Sequence, residues 1–362
     1  MNKFKKSLKL VTVFTLILTI LAGCSLSKSN SKNSTPFDYS SAFTDEGFWK
    51  DIRALDYVNL CDYKNISVPN NVHDISDDAV QAEITEILNR YSTEEKVRNR
   101  PVEFGDTVNI DYVGRVDGIE LEGSKSSGKG VDVVVGSTSL FGDLVDQLEG
   151  YSPGETATIS VVLPNNNDYD QSPDKEAVFE VKINYIINLI PPELNDEFVE
   201  KNLYSIYGWK TVAQMEAGIK RNLKITAVSD YLQKYLLKNS TIISLPEEIL
   251  KFQESLLINF YKEDADYYDM DLDTYLETYL NISSSEELLR RTLAENTQIA
   301  KGYLLIQAIA EDAGISVTDE DVAAYFESRT GNKDYSEYKK IYGMPYLKFL
   351  VLNQKVLDSL AE

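Results

Sequence analysis

The chain has 362 residues, with 36 Lys and Arg against 58 Asp and Glu, for a formal net charge of −22. A 43% hydrophobic share beside 26% charged residues is the balance of a folded protein, and at roughly 150 residues per domain the length accommodates two or three cores. The acidic balance, with no compensating basic block, excludes nucleic-acid binding through bulk electrostatics. Two cysteines and one histidine argue against a zinc site, a disulfide framework or a histidine-dependent triad.

At the amino terminus Lys3, Lys5, Lys6 and Lys9 precede an uncharged apolar run over 10–22, too short to span ~30 Å of hydrocarbon as a helix. The run ends in Leu21-Ala22-Gly23-Cys24, which resembles the lipobox of bacterial lipoproteins. The resemblance implies a signal peptide over 1–23, cleavage before Cys24 and lipidation of its sulfur, with two acyl chains giving lasting attachment to the cell membrane. Ser25 to Pro36 is polar and of low complexity, so 24–36 reads as the lipidated cysteine and a flexible tether reaching on the order of 20 Å. Cys61 then has no partner and reads as a buried structural thiol.

The body divides into three patterns. Residues 37–100 are mixed: Tyr63 to Val68 alternates like a short strand, and Ser76-Asp77-Asp78 offers an N-cap for a helix carrying Val80, Ile84, Ile87, Leu88 and Tyr91. His73 lies in the loop before that cap, where a surface or capping role is expected; how 37–60 folds is not legible. Residues 101–190 read as short strands. Val108, Ile110 and Tyr112 alternate, Asp117-Gly118 makes a turn, and Val131–Val135, Thr156–Leu163 and Phe179–Tyr185 follow. One helix, Ser139 to Glu149 closed by Gly150, fits between them. Residues 191–362 are helical, with a stripe at Val212, Met215, Ile219 and Leu223, Pro246 at a helix start, and a capping box at Thr318 to Asp321. Tyr261, Tyr267, Tyr268, Tyr275 and Tyr279 crowd one acidic stretch, as ordinary helix packing or as a face open to unfolded chains. The expected class is therefore α+β: an antiparallel sheet wrapped on a short helix, then an all-α region. Gly123 to Gly130 imitates a phosphate loop but lacks the Ser or Thr for magnesium and the helix that would follow, so it reads as a plain loop.

Gly105-Asp106-Thr107-Val108, Asp111-Tyr112-Val113-Gly114, Asp117-Gly118 and Glu120 to Gly123 resemble the opening of an FKBP-type prolyl isomerase domain, and Leu148-Glu149-Gly150, Pro153-Gly154-Glu155 and Leu163-Pro164 continue it. With Lys64 to Arg90 before it and Pro191 to Phe198 after it, the arrangement over roughly 60–360 is similar to the trigger factor family, in which a helical chaperone domain with extended arms follows the isomerase domain. That family's ribosome-binding signature, Gly-Phe-Arg-x-Gly-Lys, is not matched, so ribosome docking is not expected.

The implied chemistry needs no nucleophile, metal or cofactor. Amide resonance holds the prolyl bond behind ~18–20 kcal/mol, and an apolar, water-poor pocket favours the twisted amide. By the resemblance Tyr112 and Phe179 match aromatic walls, Leu121 and Val131 stand where phenylalanines are usual, and Glu122 stands near an aspartate. Phe141 stands where an aliphatic residue offers its amide, Leu144 replaces the aromatic floor, and the loop tyrosine is either Tyr169, two residues late, or absent, with Asn167 in its register. The resemblance thus implies a weakened isomerase acting on unfolded or nascent secreted polypeptides from a membrane anchor. A holdase with a degenerate pocket is the alternative, and the strand-then-helix order argues against a solute-binding lipoprotein.

Overall fold

A computed structural model describes residues 36–126, 128, 130–136, 144–162, 176–268 and 270–361. The chain falls into two compact units, one a sheet over Thr85–Glu193 and the other helical, built from residues up to Ile84 and from Leu194 to the end.

The sheet unit consists of β1 (Thr93–Val97), β2 (Thr107–Val116), β3 (Ile119–Lys125), β4 (Val131–Val134), β5 (Thr156–Val162) and β6 (Glu176–Ile190), all paired antiparallel. The order is β1–β6–β2–β3, with β4 on the first half of β2 and β5 on the first half of β6. Alternation decides which face is buried: Ala177, Phe179, Val181 and Ile183 of β6 point inward while Glu176, Val178, Glu180 and Lys182 point out. The β2–β3 hairpin closes through Asp117 and Gly118, both at positive φ, which is the two-residue turn that suits strand twist. The described part of the expected Ser139–Glu149 helix is a single 3-10 turn, Asp146–Leu148, and Gly150 at φ +88° ends it as the sequence suggests; residues 139–143 lie outside the described residues.

In the helical unit, α1 (Asp77–Arg90) starts at the expected cap, where Ser76 Oγ accepts the Ala79 N–H; its last turns cross into the other unit. Then follow α2 (Asp196–Tyr207), α3 (Val212–Asn239), α4 (Glu247–Tyr267), α5 (Leu272–Leu280), α6 (Ser285–Ala313), α7 (Asp319–Thr330), α8 (Ser336–Tyr342) and α9 (Met344–Ala361). The second half of α6 is the axis of the core: Tyr303, Leu304, Leu305, Ile306, Ala308 and Ile309 are all buried, as expected of a helix apolar on every side. Packed against it are α3, α4, α9 and the strap of residues 37–60. The capping box at Thr318 and Asp321 is present as read.

Three readings need correction. Tyr63 to Val68 forms no strand: Tyr63–Asn65 is a 3-10 turn, drawn in because the Tyr63 ring is buried and its hydroxyl donates to Asp312. His73 ends a short helical turn, Asn70–His73, that packs on α3 instead of lying in an open loop. Cys61 is only half-buried, with its N–H donating to Ser240 Oγ. The crowded tyrosines divide: Tyr261 and Tyr275 are buried with Leu276, Ile282 and Leu288 where α4, α5 and α6 meet, Tyr268 packs half-buried against them, and Tyr267 and Tyr279 are exposed.

Candidate functional site

Among the described residues of the sheet unit is an apolar cluster to which five of the candidate residues belong or against which they pack. Tyr112 on β2 and Phe179 on β6 have ring centroids 6.3 Å apart at 51°. Leu144, in the turn before Asp146–Leu148, is fully buried with them, as are Ile110, Ile159 and Val181. Leu121 of β3 and Val131 of β4 are half-buried and pack on the same cluster. Strand register explains the convergence: Tyr112 is opposite Val181, Gly114 opposite Phe179, and Val131 opposite Ile110, so successive inward positions of adjacent strands meet on one face. Glu122 lies within β3, and its side chain is outside the described residues. Phe141, Tyr169, Asn167 and Cys24 also lie outside them.

Gly114 belongs to this site, although the sequence marked it only as a motif glycine. A Cβ built on it would lie 2.5 Å from Phe179 Cε1 and 2.9 Å from Ser124 Oγ. The Phe179 ring therefore lies directly on the β2 backbone. A glycine inside a strand is the sequence signal for such close approach. Ser124 is fully buried and donates to the carbonyls of Gly114 and Leu121, at 3.0 and 2.8 Å, tying β3 to β2 beside the ring.

Ahead of β2 the chain is pinned by Arg100, whose guanidinium grips Asp106 with two hydrogen bonds of 2.6 and 2.8 Å. That hydrogen bonding holds the Asp106 carboxyl below the usual carboxylate range, with help from the Glu103 N–H. The opposite face of the sheet is polar. A shallow cleft of about 450 Å³ there is lined by Arg115, Thr158, Val178 and Glu180, and its Arg115–Glu180 ion pair is unsuited to a dehydrated proline. Among the described residues no group of three or more His, Cys, Asp or Glu could hold a metal ion.

Tyr112, Phe179 and Leu144 are buried in this cluster, Leu121 and Val131 are half-buried beside them, and none of the five is a base that could activate a nucleophile. Comparison with known proteins places this unit and the helical one. Residues 98–184 match the family model described as FKBP-type peptidyl-prolyl cis-trans isomerase. Residues 210–362 match the model described as the bacterial trigger factor protein C-terminus. The chain is 30% identical over 315 residues to a trigger factor of Staphylococcus epidermidis, covering 84% of this chain and 71% of that protein. A trigger factor of Clostridium kluyveri is 26% identical over 318 residues, covering 84% and 72%. A solved structure described as "Promiscuous Substrate Recognition in Folding and Assembly Activities of the Trigger Factor Chaperone" aligns over 84% of this chain and 72% of that chain, at 19% identity and a TM-score of 0.32.

Proposed function

The chain belongs to the trigger factor family and carries an FKBP-type peptidyl-prolyl isomerase domain, and from that premise we propose that it is a foldase working outside the cytoplasm, held to the membrane by lipidated Cys24. In this reading 1–23 is a signal peptide, 24–36 a tether, 37–100 a segment joining the chaperone body, 101–190 the isomerase domain and 191–362 the chaperone domain. Its clients are unfolded or nascent secreted polypeptides. Ribosome docking has no part in the reading.

The observation that carries the isomerase role is the apolar cluster uniting Tyr112, Phe179 and Leu144. A prolyl ring placed on this face loses water, and the loss of solvation favours the twisted amide, in which the carbonyl and nitrogen are less polar than in the planar form. The barrier of ~18–20 kcal/mol falls by about 1.4 kcal/mol for each tenfold gain in rate. Tyr112 and Phe179 are assigned as walls and Leu144 as the floor. Leu121 and Val131 close the sides where aromatic rings would grip more firmly.

Those aliphatic replacements favour a second reading, in which turnover is small and holding dominates. The helical unit exposes large apolar side chains suited to holding, among them Phe260, Tyr267, Tyr279 and Leu293. A protease-coupled assay with a proline peptide, run beside suppression of aggregation of an unfolded client, separates the two. Catalysis above buffer that drops in Phe179→Ala supports the isomerase role; a rate equal to buffer with intact suppression leaves holding alone. The anchor is tested separately: labelled fatty acid is expected to enter the wild-type chain in cells, and Cys24→Ala is expected to abolish both the label and membrane fractionation. Among the described residues no helix is long and apolar enough to cross a membrane.

A further inference from the structure

Tyr112 sits between two strand pairings of β2. On the side of β2 away from β6, pairing with β4 ends at Ile110, opposite Val131, and pairing with β3 begins at Val113, opposite Lys125. Asp111 and Tyr112 fall between the two. Ser126, buried just past the end of β3, meets Tyr112 there. Its N–H donates to the Tyr112 carbonyl at 3.0 Å, and its Oγ accepts the Tyr112 N–H at 3.1 Å. The same hydroxyl donates to Asp111 Oδ1 at 2.9 Å.

Asp111 is the hub of what lies around this clamp. Its Oδ2 accepts from Asn184 Nδ2 at 3.0 Å, and its carboxylate also accepts the Gly130 N–H. Asn184 is the extra residue of β6 where the register slips, between Tyr185 opposite Asn109 and Ile183 opposite Ile110. Its Nδ2 also reaches Asn109 Oδ1 at 3.0 Å, and Asn109 Nδ2 donates to Asp132 Oδ1 at 2.6 Å. A Cβ on Gly130 would lie 2.1 Å from Asn109 Oδ1, so the backbone just ahead of Val131 rests on that amide. The network therefore fixes two things at once: the main chain of Tyr112 and the approach to Val131.

We infer that Ser126 and Asp111 are positioning residues for prolyl isomerisation, which act by holding Tyr112 and the Val131 segment between the pairings of β2 with β4 and with β3. Neither side chain belongs to the apolar cluster. The inference rests on the reading of Tyr112 and Val131 as pocket walls. A pocket that discriminates the twisted amide from the planar one by fit loses rate when a wall shifts by a fraction of an ångström.

The test uses the full chain with Ser126→Ala and Ser126→Thr, and reads kcat and KM on a proline peptide together with amide hydrogen exchange resolved by residue. In Ser126→Ala the Tyr112 amide is expected to exchange at least about tenfold faster while Ile110 and Phe179 keep their protection. The value of kcat should fall about tenfold with KM within about twofold. Ser126→Thr, which keeps the hydroxyl, should restore both. A wild-type rate equal to buffer overturns the isomerase reading and this inference with it. A wild-type rate above buffer that Ser126→Ala leaves unchanged overturns the inference alone. So does loss of protection across all strands together, which marks a role in stability only.

Discussion

At Gly114 a single methyl group is enough to disturb the site, because the nearest atoms are an aromatic ring with no room to retreat. Phe179 is fully buried, and a Cβ on Gly114 would stand 2.5 Å from its Cε1. Gly114→Ala is therefore expected to cost about 1–3 kcal/mol by overpacking and to lower kcat/KM, since the ring that must move is a proposed pocket wall. Chemical denaturation and the proline-peptide assay check the two effects. Rescue by Phe179→Leu in the double variant, restoring stability but not rate, identifies the ring as the cause. The sequence announced parts of this site unequally. Tyr112 and Phe179 were legible as inward members of their strands because those strands alternate. The Gly114–Phe179 contact is written only as a glycine within a strand. The Ser126 clamp was not legible, because nothing local reveals that Ser126 reaches back to β2 between the pairings that end at Ile110 and begin at Val113.

Among the elements, the strap of residues 37–60 shows how far core membership departs from periodicity. Phe43 and Trp49 are almost wholly buried and bridge to each other, yet the segment has no long helix or strand for a repeating pattern to mark. Its backbone is satisfied by α6. Gln307 Oε1 accepts the Trp49 N–H at 2.7 Å, Gln307 Nε2 donates to the Ile52 carbonyl at 2.8 Å, and Glu311 accepts the N–H groups of Ala54 and Leu55. These partners are some 250 residues away in sequence, so only the tertiary fold can disclose them. β2 and β6 were readable for the opposite reason: a sheet buried on one face writes its burial into every second residue. Trp49→Ala is expected to cost about 3–5 kcal/mol, read as a lowered denaturant midpoint of the helical unit. At the start of α6, Glu287 accepts from the Ser283 backbone and hydroxyl and from Arg291, which lowers its pKa to about 2. A depressed carboxylate stabilises the folded state fully above its ordinary value near 4.5, and that contribution is lost as pH falls toward 2. Glu287→Gln should accordingly lower the thermal midpoint at pH 7 and differ little from wild type at pH 2.

For the molecule as a whole, the order of the chain makes the sheet unit an insertion within the helical one. The strap and the helices from Leu194 onward share one core, while Thr85–Glu193 folds on its own contacts. Entry and exit of the sheet run on adjacent antiparallel strands, with Thr93 of β1 directly opposite Ile190 of β6. Paired residues of antiparallel strands lie about 5 Å apart at Cα, so a few glycines can span from Ser92 to Pro191 when the sheet is removed. Two variants then separate the activities. Residues 92–191 alone keep β1 through β6 with every strand partner, and are expected to retain the isomerase rate on a short proline peptide while failing to suppress aggregation of an unfolded protein. The chain lacking 93–190 keeps the strap and α1 to α9, and is expected to suppress aggregation with no isomerase activity. Retention of both activities by either fragment would contradict this division, and loss of all structure by the second in circular dichroism would show that the helical core depends on the insertion. A prolyl client longer than the peptide should be isomerised faster by the intact chain than by residues 92–191, because helices that hold the chain raise the local concentration of its prolines near the catalytic unit.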